Sequence, residues 1–445
     1  PAASAFACAQ QKGLNSFMNE RQTAFRILNK IERNHAYSNL VLDSELKEAA
    51  GNKPFSGLVT ALVYGVTERK ITLDFLLSSF LKQPIKKLRP EVLTALRMGV
   101  YQLKFMDKIP PSAAVNESVK LVKSNGCAYA SGLVNSVLRK VSLADIQYPN
   151  TGNPAYDFSV RYSCPEPLVE HYIQDYGEED AKEILRSSLG AAPLTVRVNT
   201  LKTTTQALIS SLQEEGVTAV EGILPNTLVL ENAGAPEKLK AYANGLFHVQ
   251  DLASAYCVRA LDLKPGQTLL DVCAAPGGKS FTAAQELENT GKVFSFDLYP
   301  QRVKLIEDGA KRLSITNLTA KVGDASKADE SLFGVADRVL CDVPCSGLGT
   351  IRRKPEIRYK DLSFIDNLTD LQYNILTNAS SYLRADGQLV YSTCTLNRAE
   401  NEAVCDRFLE NHPEFEKTDD YKTLMPHNNG TDGFFIARLR RKHGN

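Results

Sequence analysis

The chain has 445 residues and a nearly balanced charge, with 52 Lys and Arg against 51 Asp and Glu, and this length predicts two or three domains. Its hydrophobic fraction of 43% is typical of globular domains with cores, and no apolar run approaches the ~18 residues of a membrane span. The nine cysteines include no C-x-x-C pair, and the six histidines include no H-x-x-x-H. We therefore expect no disulfide framework, no metal site and a reducing cytoplasm.

Residues 1–17 are rich in small side chains but lack the basic start and apolar stretch of a signal peptide. We expect a disordered leader or a translated upstream segment, with the natural start near Met18.

Residues 18–145 have apolar side chains at helical spacing, such as Leu58, Leu62 and Val66, and Pro or Gly residues break the pattern at intervals. This predicts an all-helical domain. Residues 1–145 hold 20 Lys and Arg against 11 Asp and Glu, whereas the remainder holds 32 against 40. A basic domain joined to an acidic one suggests that the first part binds a polyanion. Ordinary solvated lysines on helices would give the same charge.

Residues 148–154 are predicted to be a linker, and residues 155–245 a small α+β connecting domain. From residue 246 to 440, apolar strand-like runs alternate with helical stretches. This alternation predicts a doubly wound, mainly parallel α/β sheet, in which a ligand binds beyond the carboxyl ends of the strands.

A glycine-rich turn follows the first strand predicted in this last domain. The run Asp271-Val-Cys-Ala-Ala-Pro-Gly-Gly-Lys279 joins an apolar strand to a helix. Adjacent glycines let the backbone approach a ligand closely, and the first N–H groups of a helix favour a carboxylate. The spacing matches neither the G-x-G-x-x-G of dinucleotide sites nor a Walker loop.

Acidic residues end the next two predicted strands. Asp297 lies 19 residues past Gly278, where doubly wound nucleotide-binding sheets place a carboxylate for ribose hydroxyls. Asp324 is placed to accept a hydrogen bond from an adenine amino group. Each acid taken alone is equally consistent with a helix cap or a turn residue.

Two cysteines also follow predicted strands. Cys345 lies in Asp342-Val-Pro-Cys-Ser-Gly347 and Cys394 in Tyr391-Ser-Thr-Cys-Thr395, so both are expected on the cofactor side. A thiolate that adds to C6 of cytosine makes C5 able to accept a methyl group from a sulfonium. A base then removes the C5 proton and the cysteine is expelled. Asp342 is placed to stabilise the protonated base near N3 or N4.

These residues resemble the RNA cytosine-5 methyltransferase family, the NOL1/NOP2/Sun group, whose signatures D-x-C-A-A-P-G-G-K, D-x-P-C-S-G and Y-S-T-C-T all occur here. The resemblance implies Cys394 as the nucleophile, Cys345 as the residue that assists product release, and S-adenosyl-L-methionine as the methyl donor. The cofactor contacts that it implies are Cys273, Ala274, Ala275, Pro276, Gly277, Gly278, Lys279, Asp297, Asp324 and Asp342.

The resemblance covers Met18 to Leu439. Residues 65–69, 109–114 and 132–139 resemble the NusB-type RNA-binding fold, and the complete arrangement is similar to the bacterial Sun/Fmu/RsmB enzymes. It implies modification of one cytosine in small-subunit (16S) ribosomal RNA, with this RNA before full assembly as the partner. Transfer RNA is the alternative substrate. We expect a monomer with no metal and no membrane partner.

A basic segment, residues 351–360, follows the Cys345 turn. We expect it to be a loop that binds RNA phosphates near the target base through Arg352, Arg353, Lys354 and Arg358. A solvated surface is the simpler interpretation.

The sequence disfavours three other functions. A DNA cytosine-5 methyltransferase uses the cysteine after Pro as its nucleophile and needs no second one. An amino-group methyltransferase carries N/D-P-P-Y/F where this chain has Asp342–Cys345. An RNA-binding or antitermination factor with a retired catalytic domain would transfer no methyl label.

Overall fold

The computed structural model describes residues 20–33 and 57–442, so the predicted leader at residues 1–17 lies outside the described residues. The chain divides into two compact units. One contains the chain up to Gly190 together with Ile351–Lys360, and the other contains Ala191–Thr350 and the chain from Asp361 onward. In the described part of the chain, no helix is long and apolar enough to cross a membrane.

The first unit is helical throughout its described residues, as the apolar spacing predicts. Proline occupies the first turn of several helices, where its fixed φ suits the helix and its missing N–H costs nothing. The helices enclose an apolar core that includes Leu62, Leu96 and Val134. They cover residues 20–33, Gly57–Glu68, Lys70–Ser78, Pro90–Phe105, Pro111–Ser124, Ser131–Leu143, Pro154–Tyr162 and Glu166–Ser187, with 3-10 turns at Ile85–Lys87, Ala128–Ala130 and Pro355–Tyr359.

Arg358 is part of the interior of this unit. Its side chain is 1% exposed, and Nη1 donates to the carbonyl oxygens of Glu68, Tyr162 and Ser163 at 3.1–3.2 Å. Nη2 donates to the carbonyl oxygen of Ser188 at 3.0 Å. The prediction that Arg358 binds RNA phosphates is therefore wrong, because the side chain is buried and its Nη1 and Nη2 atoms donate to backbone carbonyls.

A small antiparallel sheet begins the second unit. Its strands are β1 Leu194–Val198, β2 Thr218–Glu221, β3 Thr227–Glu231 and β4 Phe247–Val249, in the order β2-β3-β1-β4. Helix Thr205–Glu214 covers it, and their apolar core includes Val196, Leu208 and Leu228. The predicted 155–245 segment is thus divided, since its helices up to Ser187 belong to the first unit.

A larger sheet follows, in the order β10-β12-β9-β8-β5-β6-β7, with β11 paired to β12. Strands β5 to β9 pair in parallel, while β12 is antiparallel to β9. The strands are β5 Thr268–Asp271, β6 Lys292–Asp297, β7 Leu318–Val322, β8 Ala336–Asp342, β9 Leu383–Thr393, β10 Phe415–Lys417, β11 Lys422–Leu424 and β12 Phe434–Arg441.

Helices alternate with the parallel strands, and separate apolar cores contain residues of both element types. This confirms the predicted doubly wound α/β architecture. Because the strands are parallel, Asp271, Asp297, Asp342 and Thr393 all end strands at one edge of the sheet. The helices of this unit also include Lys240–Ala243, Leu252–Arg259, Gly278–Glu286, Pro300–Leu313, Ile365–Ser381, Glu402–Asn411 and Pro426–Asn429.

Candidate active site

The two cysteine turns meet at the carboxyl ends of β8 and β9. These strands pair in parallel with Asp342 opposite Ser392, so the next residues of both strands emerge at the same sheet edge. The Sγ atoms of Cys345 and Cys394 lie 3.3 Å apart, and both residues are partly exposed. The hydrogen bond with Cys394 and burial raise the pKa of Cys345 well above its ordinary value. Cys345 is therefore held as a neutral thiol at neutral pH.

Asp342 is held from both sides. Nζ of Lys279 lies 2.6 Å from its Oδ2 atom, and Oγ of Ser392 donates to its Oδ1 atom at 2.8 Å. Burial lowers the pKa of the Lys279 ammonium group, but Asp342 together with the sulfurs of Cys257 and Cys394 raises it above its ordinary value. The Lys279 side chain, predicted as a cofactor contact, thus forms an ion pair with the strand-end carboxylate.

The glycine turn joins β5 to helix Gly278–Glu286. Gly277 has a φ of +105°, a conformation that favours glycine, and a Cβ there would lie 2.4 Å from the Phe281 ring. A Cβ on Gly278 would meet nothing closer than Nε2 of Gln250, at 3.9 Å. The turn therefore leaves space beside the helix N-terminus, where N–H groups and positive potential favour an anion.

Asp271 supports this turn from inside the domain. Its side chain is buried, and Oγ of Ser280 donates to its Oδ2 atom at 2.6 Å. Burial raises the pKa of Asp271 to about 7. The residue thus titrates in the physiological range, a property that the motif alone does not indicate.

The other two predicted cofactor acids make local contacts. The N–H groups of Ala275 and Tyr299 donate to the buried Asp297 carboxylate at 3.3 and 3.2 Å, so Asp297 links its strand end to the glycine turn. Hydrogen bonds from Ser326 lower the pKa of Asp324. These contacts of Asp324 are those of a turn residue, and its adenine role stays a prediction.

Sequence reasoning missed four polar residues that hold the cysteine turns, namely Ser346, Gln372, Ser392 and Glu400. Ser346 and Ser392 lie within two residues of a motif cysteine, so their position alone is a usable signal. Gln372 and Glu400 are 0% exposed. Nothing in the local pattern distinguishes them from solvated helix and loop residues.

The basic residues Arg352, Arg353 and Lys354 belong to the segment that packs with the helical unit. The Lys354 side chain is exposed and those of the two arginines are partly exposed. Of the four predicted phosphate ligands, only Arg358 is fully buried.

Comparison with known proteins identifies the family. The family described as 16S rRNA methyltransferase RsmB/F matches residues 258–440, the NusB family matches residues 18–143, and a ferredoxin-like domain of the RsmF/B type matches residues 164–236. The probable ribosomal RNA small subunit methyltransferase B of Bacillus subtilis is 37% identical over 441 residues, which cover 95% of this chain and 98% of the relative. The chain belongs to the ribosomal RNA small subunit methyltransferase B family.

Other members and solved structures agree with this assignment. The probable family member from Synechocystis is 34% identical, over 95% of this chain and 99% of the relative. The crystal structure of PH0851 matches with a TM-score of 0.78 and 27% identity, over 94% of this chain and 99% of that one. NSun6 from Pyrococcus horikoshii, solved with SFG, matches with a TM-score of 0.56 and 25% identity, over 62% and 98%. The predicted family, its NusB-like helical region and its Rossmann-like domain are confirmed, and the comparison adds that the small α+β region is of the ferredoxin-like type.

Proposed function

We propose that this chain transfers a methyl group from S-adenosylmethionine to C5 of a cytosine in small-subunit ribosomal RNA. The observation that carries the proposal is the pair of thiols of Cys345 and Cys394, 3.3 Å apart beyond the carboxyl ends of β8 and β9. The names of the family relatives support ribosomal RNA as the substrate.

The residues that would hold S-adenosylmethionine are the backbone of residues 273–279 together with Asp297, Asp324 and Asp342. They fit this group because the space beside Gly278 is open, the helix N-terminus attracts a carboxylate, and Asp297 is a buried acid at a strand end. When bound, S-adenosylmethionine supplies an electrophilic methyl group on a sulfonium sulfur.

Cys394 acts as the nucleophile in this proposal. Its thiol loses a proton and its sulfur bonds to C6 of cytosine, which makes C5 nucleophilic. An unperturbed thiol is only about 3% ionised at neutral pH, so the site must promote this deprotonation. After C5 accepts the methyl group, a base takes the C5 proton, the C5–C6 double bond forms again, and the sulfur of Cys394 leaves C6 as a thiolate.

Cys345 and Asp342 assist the reaction from the adjacent strand end. Cys345 is held as a thiol 3.3 Å from the nucleophile and assists release of the methylated base. Asp342, fixed by Lys279 and Ser392, stabilises the protonated ring at N3 or N4. Both roles use groups that the fold holds in place before substrate binds.

The RNA must present its target base outside a helix. C5 and C6 of a stacked, paired cytosine are not accessible to a thiol from the protein, so the base is extruded or already single-stranded. We assign phosphate contacts near the target to Arg352, Arg353 and Lys354, and broader RNA binding to the NusB-like helical domain.

Separate replacement of the two thiols tests this proposal. With methyl-labelled S-adenosylmethionine and ribosomal RNA, Cys394→Ala abolishes label transfer, whereas Cys345→Ala accumulates a covalent protein–RNA adduct on denaturing gels. Cys405→Ala, which alters a buried core cysteine, serves as the control and leaves transfer intact. The reverse pattern at Cys345 and Cys394 would indicate the DNA-type arrangement and contradict the assignment.

Mapping of 5-methylcytosine distinguishes the substrates. Cells lacking this protein should lose one modified cytosine from small-subunit ribosomal RNA and keep those of transfer RNA. Loss confined to transfer RNA would preserve the chemistry but overturn the substrate.

A further inference from the structure

Glu400 lies six residues beyond Cys394 and is completely buried. Its Oε1 atom accepts hydrogen bonds from Oγ of Ser346 at 2.5 Å and from Nδ2 of Asn397 at 3.0 Å. Its Oε2 atom accepts from the N–H of Ser346 at 2.8 Å and from Nε2 of Gln372 at 3.0 Å. All four partners are donors, so the geometry suits an ionised carboxylate, which only accepts.

These bonds fix the Cys345 turn on both sides of the cysteine. Ser346 follows Cys345 directly and gives Glu400 two bonds, one from its backbone and one from its hydroxyl. The amide of Gln372 that donates to Glu400 also donates to the carbonyl oxygen of Pro344 at 3.0 Å. Pro344 and Ser346, the two neighbours of Cys345, are therefore linked to one carboxylate.

The Cys394 turn is tied to the same carboxylate. Oγ1 of Thr395, the residue after Cys394, lies 2.8 Å from Oγ of Ser346. Since the single hydroxyl hydrogen of Ser346 points to Glu400, the Thr395 hydroxyl donates to Ser346. The hydroxyl of Tyr391 also donates to the backbone carbonyl oxygen of Glu400 at 2.6 Å. Both cysteine turns thus share one buried network.

Burial of this network has a free-energy cost. A buried charge without an opposite charge among its four hydrogen-bond partners loses its hydration, and an apolar replacement often stabilises a core as well or better. A carboxylate with all its hydrogen bonds formed, in contrast, holds the surrounding groups in one arrangement, because each of its acceptor positions fixes one donor.

We propose that Glu400 is a positioning residue that sets the distance between the thiols of Cys345 and Cys394 without touching the substrate. Its role in methyl transfer rests on the function proposed above, but its effect on the thiol pair does not. Glutamine at this position keeps the size of the side chain, yet its NH2 group meets two donors where an acceptor is required.

A probe of the thiol pair alone tests the geometry. Phenylarsine oxide condenses with two thiols, forming two As–S bonds and releasing one water, and it binds tightly only where both sulfurs are close. We expect the Glu400→Gln variant to bind this arsenical at least ten-fold more weakly than wild type. The Glu410→Gln variant, which changes an exposed acid on the next helix, should bind like wild type. Cys345→Ser and Cys394→Ser should each abolish tight binding.

Single-turnover methyl transfer gives the second readout. Glu400→Gln should lower the rate at least 100-fold while RNA affinity stays within two-fold, as expected for misplaced thiols in an otherwise intact protein.

Wild-type arsenical binding and wild-type rate in a folded Glu400→Gln protein would refute the proposal. If that variant fails to fold, Ser346→Ala takes its place, since it removes one bond to Glu400 and the link to Thr395. Wild-type arsenical binding by Ser346→Ala would equally refute it. If wild type transfers no methyl group but the arsenical difference persists, the proposed function fails and the positioning role stands.

Discussion

Nζ of Lys279 lies 2.6 Å from Oδ2 of Asp342, although the two residues are 63 positions apart in the chain. Lys279 lies in the first turn of the helix after the glycine turn, and Asp342 ends β8. Their side chains are only 14% and 23% exposed. The ion pair therefore joins the predicted cofactor turn to the cysteine motif, and neither motif alone reveals it.

Lys279→Met should lower single-turnover methyl transfer on the order of 100-fold, because Asp342 then loses one of the two groups that fix it beside the target base. Asp342 would then keep its carboxylate but lose the charge that stabilises it. Lys279→Arg keeps a positive charge and should recover part of the rate. An unchanged rate for Lys279→Met would show that Asp342 does not depend on this partner.

Arg358→Met should destabilise the protein by about 3 kcal/mol or more, since buried carbonyl groups that lose a donor each cost about 1–3 kcal/mol. The exposed Lys354 provides the matched control, and Lys354→Met should alter stability by no more than about 0.5 kcal/mol. Urea denaturation measures the free energy of unfolding of both variants. Equal stabilities would contradict the interior role of Arg358.

The Lys354→Met variant also tests the predicted phosphate contact. Lys354→Met should weaken RNA binding and reduce the slope of log affinity against log salt by about one, as expected for a lost phosphate contact. Filter binding at several salt concentrations measures this slope. An unchanged slope would show that Lys354 contacts no phosphate.

Arg358 also shows where sequence reasoning fails. Its acceptors come from residues 68, 162, 163 and 188, so only the tertiary fold distinguishes it from the basic residues beside it. Glu400 was missed for the same reason, because its burial depends on distant elements. Strands of three residues, such as β4, β10 and β11, are too short to show a period.

The cysteine pair could be placed from sequence because it depends on a general rule. Parallel strands end at one edge of a sheet, so motifs at the ends of β8 and β9 were expected on the same side of it. The thiols meet because β8 and β9 are neighbouring strands, which the motifs alone do not indicate. Gly177 interrupts the helical run Glu166–Ser187 with non-helical angles of φ 80° and ψ 168°. Glycine adopts such angles readily.

Gly349→Ala should destabilise the protein by about 1–3 kcal/mol, the usual cost of overpacking, and lower methyl transfer at least ten-fold. A Cβ at this position would lie 1.9 Å from the carbonyl oxygen of Gly433. The N–H of Gly349 also donates to the carbonyl oxygen of Cys394 at 3.0 Å, so displacement of this backbone moves the nucleophile turn.

Gly132→Ala is the matched control for this substitution. Gly132 lies in helix Ser131–Leu143, and a Cβ there would meet nothing within 4 Å. Alanine favours helix by up to about 1 kcal/mol over glycine, so this variant should be neutral or more stable. Thermal unfolding and methyl-transfer assays compare the two alanine variants. Equal effects on stability and rate would rule out the steric explanation for Gly349.

Asp271 should make stability depend on pH between about 4 and 7. Burial raises its pKa to about 7 in the folded protein, whereas an unfolded aspartate has a pKa of about 3.9. The folded state therefore binds a proton in this range that the unfolded state releases. The stability that Asp271 contributes is complete below about pH 4, falls as pH rises, and is lost above about pH 7.

Asp271→Asn removes this titration while keeping the size of the side chain. The unfolding free energy of wild type minus that of Asp271→Asn should fall by up to about 4 kcal/mol between pH 4 and 7, at about 1.36 kcal/mol per unit of pKa shift. Asp262→Asn is the control, because the hydrogen bond with Lys264 lowers the pKa of Asp262 and confines its pH effect to acid below about pH 4. Urea denaturation at about pH 4, 5, 6, 7 and 8 gives both differences across this range. A pH-independent difference for Asp271→Asn would mean that Asp271 is already ionised across this range in the folded protein.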